Sequence, residues 1–177
     1  MSGLRLLDQS VRARWGVKGR GALDWLAAHG APVPGTNNAA SRLADGTLLV
    51  RLAPSEVLVL ATSPQGVSAI GRAIETLPAE GEAFCYPVPR RDSHAWFVVA
   101  GASGAALFRK LCGVDLLPER FADGRVAQTS VARLAAIVVR DDVAGELRYH
   151  LLADSASAEY LWECLLDGTT EFHLHVD

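Results

Sequence analysis

FVVAGASGAALFRKLCG, residues Phe97–Gly113, runs from an apolar β-like segment through Gly101 and Gly104 into a helical pattern that Gly113 closes. WGVKGRGALDWLAAHG, residues Trp15–Gly30, makes the same passage earlier in the chain, with Gly19 and Gly21 at the corner. A strand that turns through glycine onto a helix N-terminus suits a phosphate, because unpaired N–H groups and the helix dipole there favour an anion. Neither copy carries the G-x-G-x-x-G or G-x-x-x-x-G-K-[ST] spacing that a nucleotide loop needs. A repeated structural unit explains both corners instead, since each copy needs the same tight turn and the same close approach of helix to sheet. In the second copy Gly101 makes the turn and the Ser103 hydroxyl is placed to cap the helix.

The likeness continues outward. Asp45-Gly46 and Asp123-Gly124 each lead into strand-like sequence, and VLVLATS (Val57–Ser63) matches YHLLADS (Tyr149–Ser155) at the start of a further helix. The order strand, helix, strand pair, helix occurs twice, which predicts a duplicated α+β fold with helices on one side of antiparallel or mixed sheet. The units are expected at 1–82 and 83–177, joined through 78–94. They are expected to pack together as one compact domain, since either alone buries too little apolar surface to offset its chain entropy.

Local signals agree. Val11, Ala13, Trp15 and Val17 alternate with arginines and glycine as in a half-buried strand. Val67, Ile70, Ile74 and Leu77 form a helical stripe, with Ser63 as cap, Pro64 at the first helical position and Pro78 as the stop. The last helix sets Tyr160, Leu161, Cys164 and Leu165 on one face, with Gly168 placed to follow it in the left-handed region. Ala53–Glu56 reads as a hairpin turn, and Asp141, Asp142 and Gly145 mark its counterpart in the second half.

Composition narrows the function. The 177 residues are 50% hydrophobic with a formal net charge of −3, and no lysine or arginine run makes a local basic field, so nucleic acid is not an expected partner. No stretch approaches the ~18 uninterrupted apolar residues of a membrane span, and MSGLRLLDQS lacks a signal-peptide core, so the protein is expected in the cytoplasm, away from membranes. Cys85, Cys112 and Cys164 have no metal-ligand or redox-motif spacing and read as reduced, mostly buried thiols.

Candidate chemistry is sparse. His29, His94 and His150 have no acidic residue at a motif spacing, which favours structural roles, and His173-Leu-His175 could put two imidazoles on one strand face near the terminus without the remaining ligands of a zinc site. G-x-S-x-G is absent, so there is no nucleophile elbow. No catalytic, cofactor-binding or metal residue is therefore expected in this chain. Arg90, Arg91, His94, Gln128, Thr129 and Arg133 are the candidates for a partner interface, because polar groups there interrupt apolar stretches and arginine is enriched at interfaces. The other reading of Gln128, Thr129 and Arg133 is one solvated sheet face.

Asp92-Ser-His94, Gly104-Ala-Ala-Leu107, Gly113-Val-Asp-Leu116, Gly124-Arg-Val-Ala-Gln-Thr129, Ala132-Arg133 and Tyr160-Leu-Trp-Glu163 together resemble the gamma subunit of heterotetrameric sarcosine oxidase. Gly19, Gly21-Ala22, Trp25-Leu26, Pro32, Pro34 and the Arg51–Glu56 turn extend the resemblance through the first half. It implies a fold similar to the folate-binding region of the glycine-cleavage T-protein, and a place beside alpha, beta and delta subunits. In that family the complex demethylates sarcosine oxidatively to glycine, passing the one-carbon unit to tetrahydrofolate or releasing formaldehyde. The resemblance also implies that FAD, FMN, NAD, folate and zinc sit on the partner subunits and that this chain stabilises and positions them. T-protein relatives place an acidic pair where this chain has Leu134, Ala135 and Ala136, so the acid used in folate chemistry is missing. A subunit of a related N-methyl amino-acid dehydrogenase, such as methylglutamate dehydrogenase, and a stand-alone folate-binding T-protein-like protein are the alternatives.

Overall fold

The computed structural model describes residues 3–63 and 68–176. In chain order these form β1 (Leu4–Asp8), β2 (Arg14–Lys18), α1 (Ala22–Ala28), β3 (Ala39–Arg42), β4 (Thr47–Ala53), β5 (Glu56–Ala61), α2 (Ala69–Glu75), β6 (Tyr86–Pro89), β7 (His94–Ala100), α3 (Gly104–Leu111), β8 (Val126–Val131), β9 (Leu134–Arg140), β10 (Arg148–Asp154), α4 (Ala158–Gly168) and β11 (Leu174–Val176). The chain divides into two compact units, Arg12–Asp92 and Met1–Val11 with Ser93–Asp177.

The unit Arg12–Asp92 is an antiparallel sheet in the order β3-β4-β5-β2-β6. Its core is Val17, Leu49, Val57 and Val59 from the sheet against Ala22, Trp25, Leu26, Ile70 and Ile74 from α1 and α2. The other unit is a mixed sheet in the order β11-β1-β7-β10-β9-β8, in which only β1 and β11 are parallel. Leu4, Leu6, Phe97, Val99, Val138, Tyr149 and Leu151 pack there against Leu107, Phe108, Leu161 and Leu165 of α3 and α4. Without the terminal β11 the second order is β1-β7-β10-β9-β8, and reversed it matches the first strand for strand.

The duplication therefore holds, and each repeat carries two strands more than the sequence pattern suggests: strand, strand, helix, three strands, helix. The repeats also exchange their first strands. β1 opens the first repeat but pairs with β7, while β6 opens the second repeat but pairs with β2. This is why the compact units are not 1–82 and 83–177. The segment expected to join them, 78–94, contributes β6 to the first unit and the start of β7 to the second.

Both glycine corners have the same construction. Gly19 (φ +132°) and Gly101 (φ +108°) lie in a region that L side chains avoid, and a Cβ on either would stand about 2 Å from a carbonyl oxygen, that of Phe84 or of Gly3. Those carbonyls belong to the residues leading into β6 and β1, so each corner is shaped around the incoming exchanged strand. The Ser103 hydroxyl makes no capping bond, although Ser103 occupies the N-cap position of α3.

Other expectations shift locally. Ser68, and not Ser63, caps α2, its Oγ accepting from the Gly71 amide at 3.0 Å. Pro64 and Val67 lie outside the described residues. Val11 stands outside β2 and is 89% exposed. Gly168 is the last residue of α4, followed by Thr169 in right-handed conformation, and its missing Cβ admits Leu107 of α3. Asp45-Gly46 links β3 to β4, whereas Asp123-Gly124 precedes β8, so the two pairs are not counterparts. Asn38 is the true counterpart of Gly124: both have positive φ, and their amides donate to Arg51 and Arg140 carbonyls. His175 lies in β11, the short edge strand parallel to β1, and His173 precedes it.

Candidate functional site

The hairpin β8–β9 carries Gln128, Thr129 and Arg133. Thr129 points toward the helix-covered face with Ala127 and Val131, while Gln128 stands on the opposite face and is exposed, as period-two alternation requires. Arg133 is at the tip: Ala132 (φ +48°) and Arg133 (φ +68°) are the central residues of a two-residue turn closed by Val131 and Leu134. Two positive φ angles in a two-residue hairpin define a type I′ turn, which favours asparagine and glycine over alanine and arginine. The tip is held all the same, by the Ala132 amide on the Leu111 carbonyl at 2.8 Å and by the Tyr160 hydroxyl on the Ala132 carbonyl at 3.2 Å.

His94 and Gln128 come together on that opposite face, with the Thr129 position at their border. With Ala135, Ile137 and Leu152 they line an open depression of about 420 Å³ on the unit that contains β7 to β10. The Ser93 hydroxyl and His94 Nδ1 are 2.8 Å apart, which orients the imidazole at its edge. Arg133 does not line this depression.

Arg90 and Arg91 belong to the other unit, at the end of β6. Arg90 is committed internally: its side chain crosses Gly16 and pairs with Glu56 of β5. Arg91 is exposed, and its carbonyl accepts from the buried guanidinium of Arg14 at 2.6 Å. Arg14 also donates to the Arg12 and Arg90 carbonyls, so one buried cation fastens the start of β2 to the end of β6.

A buried polar chain that spacing alone did not reveal lies across β7, β9 and β10. Trp96 Nε1–H donates to His150 Nδ1 at 3.1 Å, and His150 Nε2 is 3.0 Å from Asp141 Oδ2. Indole nitrogen can only donate, so Nδ1 is the acceptor and the ring proton sits on Nε2, facing the carboxylate. All three side chains are at least 90% buried, so the imidazole is closed off from solvent. Both ring nitrogens thus face neighbouring side chains of the same unit. The signal that could have found this polar chain is His150 within the otherwise apolar run Tyr149–Ala153 opposite the Asp141-Asp142 turn.

Arg51 and Arg140 are a second duplicated device. Arg51 donates to the Pro34 carbonyl at 2.8 Å, and Arg140 donates to the Pro118 and Phe121 carbonyls at 3.1 and 2.7 Å. Each guanidinium thus ties a strand to the loop that leads from the unit's first helix. Arg140 is completed by a two-pronged pair with Asp142, and that hydrogen bond raises its pKa further.

Reactive groups are subdued. Cys85 is buried, and desolvation, helped by Glu82, pushes its thiol up to about 11. Cys112 and Cys164 are only half-buried, more open than the sequence suggested, and all three thiols are free. Among the described residues, no group of three His, Cys, Asp or Glu side chains could hold a metal ion. No helix among them is long and apolar enough to cross a membrane.

No family model matches the chain. Over 163 residues it is 29% identical to the sarcosine oxidase subunit gamma of an Arthrobacter species, covering 92% of this chain and 75% of that protein. A chain of the heterotetrameric sarcosine oxidase from Corynebacterium sp. U-96, solved in complex with pyrrole 2-carboxylate, superposes with a TM-score of 0.72 at 21% identity over 96% of this chain and 85% of its own. The glycine cleavage system aminomethyltransferase T from Bartonella henselae superposes with a TM-score of 0.68 at 17% identity, covering 99% of this chain and 48% of that one. The duplicated α+β architecture is thus that of sarcosine oxidase and T-protein chains.

Proposed function

We propose that the chain is the gamma-type, non-catalytic subunit of a heterotetrameric sarcosine oxidase complex, holding larger flavin-bearing subunits in register during oxidative demethylation of sarcosine to glycine. The observation that carries this reading is the likeness to a gamma subunit along nearly the whole chain. The interior supports it: the buried charges of Arg14, Arg140 and Asp141 are spent on backbone and neighbouring side chains, so they serve rigidity and not turnover. On this reading FAD, FMN, NAD, folate and zinc reside on alpha, beta and delta subunits and none on this chain. The complex works in the cytoplasm, where free thiols such as these persist.

The test is co-expression of the tagged chain with alpha-, beta- and delta-type subunits from the same genome, followed by affinity purification. Recovery of a stoichiometric complex that oxidises sarcosine with release of hydrogen peroxide is the expected result. The chain purified alone should show no flavin band after gel filtration and no bound zinc, and calorimetry with tetrahydrofolate should give no micromolar, stoichiometric heat. Failure of the subunits to co-purify would remove the reading.

A further inference from the structure

In the unit built on β7 to β10, the outer side of the exchanged strand β1 is covered. β11 runs beside it with Leu6 facing Val176, and Phe172 and Leu174 pack against the core. In the other unit the exchanged strand is β6, and the ladder positions match: Leu6 faces Val99 two residues before Gly101, as Pro87 faces Val17 two residues before Gly19. Among the described residues no strand pairs with the far side of β6, which is the edge of its sheet. An open groove of about 380 Å³ lies there, with Trp15, Ile74, Leu77, Pro87 and Pro89 among its walls and Arg91 and Glu75 among its polar lining.

The proline pair decides what fits. Pro87 and Pro89 have no N–H, so the ladder to β2 uses the amides of Tyr86 and Val88, and the outward side of β6 offers no donor at those two positions. A partner strand cannot extend the sheet there in regular fashion. Side-chain burial against indole, aliphatic and pyrrolidine surface remains available, and the exposed Arg91 in the lining favours a carboxylate.

We propose that this groove seats an extended segment of a partner subunit, which places an apolar side chain beside Pro87 and Leu77, where the other unit has Val176, and a carboxylate on Arg91. The inference rests on the gamma-subunit reading and deepens it by naming the surface and the chemistry of the occupant.

The test uses the full chain co-expressed with alpha-, beta- and delta-type subunits, comparing the unaltered chain with Ala79→Trp, which fills the groove from an exposed position, and Arg91→Glu, which reverses its charge. Both variants are expected to melt as the unaltered chain does and to recover about tenfold less complex, as expected when a rigid contact or an interfacial charge pair is lost. Hydrogen exchange should also slow at residues 74–79 and 86–91 when the unaltered chain is assembled. Full recovery of both variants, with no slowing in those segments, would overturn the groove proposal and leave the subunit reading intact. Failure of the unaltered chain to assemble would overturn both. A change in sedimentation of the isolated variants with undiminished complex would assign the groove to a second copy of this chain, and would likewise overturn the proposal.

Discussion

Tyr149 and His150, adjacent on β10, face opposite sides of the sheet and are both buried, and each settles a different polar requirement. The Tyr149 hydroxyl donates to the Leu116 carbonyl at 2.5 Å, and burial pushes its pKa up from 10.0 to about 12. The neutral phenol is therefore favoured by folding. Its contribution is fully present below the unfolded value of 10.0 and is lost as pH rises through about 12. Tyr149→Phe should accordingly flatten the fall of stability across that alkaline window while costing about 1 kcal/mol at neutral pH from the lost hydrogen bond. Urea melts of both chains at a series of alkaline pH values test this, and parallel pH profiles would contradict it. His150→Leu should cost more, about 2 to 3 kcal/mol at neutral pH, because it deprives the buried Asp141 carboxylate and the Trp96 N–H of a partner at once. A melt of that variant within about 0.5 kcal/mol of the parent would show that the polar chain does not hold the sheet.

Hairpins and corners explain what the sequence made legible at the scale of elements. Strand-to-helix turns stand out because glycine is needed locally, and Ala53–Glu56 is a hairpin because Ala53 pairs with Glu56 across Pro54 and Ser55. The turn at Ala132-Arg133 was hidden, since neither residue type announces a type I′ turn and the run Gly124–Val139 reads as one long polar-interrupted strand. The mistaken pairing of Asp45-Gly46 with Asp123-Gly124 has the same origin: Asn38, Ala132 and Arg133 do work that glycine does elsewhere. Arg133 consequently separates stability from assembly. Arg133→Gly should raise stability by about 1 kcal/mol, because glycine carries no penalty in the left-handed region. Arg133→Glu should leave melting nearly unchanged at this exposed tip. If the tip belongs to the partner interface, a reversed charge against a desolvated surface costs about 2 to 5 kcal/mol and abolishes co-purification with the larger subunits. Undiminished co-purification of Arg133→Glu would remove the tip from the interface, whatever the melting curves show.

At the scale of the whole molecule, the exchange of first strands was not legible, because period-two patterning identifies a strand without saying which sheet it joins. LRLLD at Leu4–Asp8 reads equally well beside β2 and beside β7. What fixes it is tertiary: Leu4 and Leu6 are completely buried in the core of the unit formed by residues 93–177, and β1 lies between β7 and β11 as an internal strand. Removing residues 1–8 should thus damage the far end of the sequence and not its neighbours. It deletes two buried leucines at about 2 to 5 kcal/mol each, bares the β7 edge and strands β11, which together exceed the stability of most domains of this size. The expected result is loss of amide protection in β7, β9 and β10 while β2, β4 and β5 keep theirs. Trimming β11 alone should cost much less, since His175 and Val176 are exposed. Hydrogen exchange followed by mass spectrometry on both truncated chains separates the alternatives. Were β2, β4 and β5 to lose protection first in the chain lacking residues 1–8, β1 would belong to the first repeat's own sheet, and the exchange would be wrong.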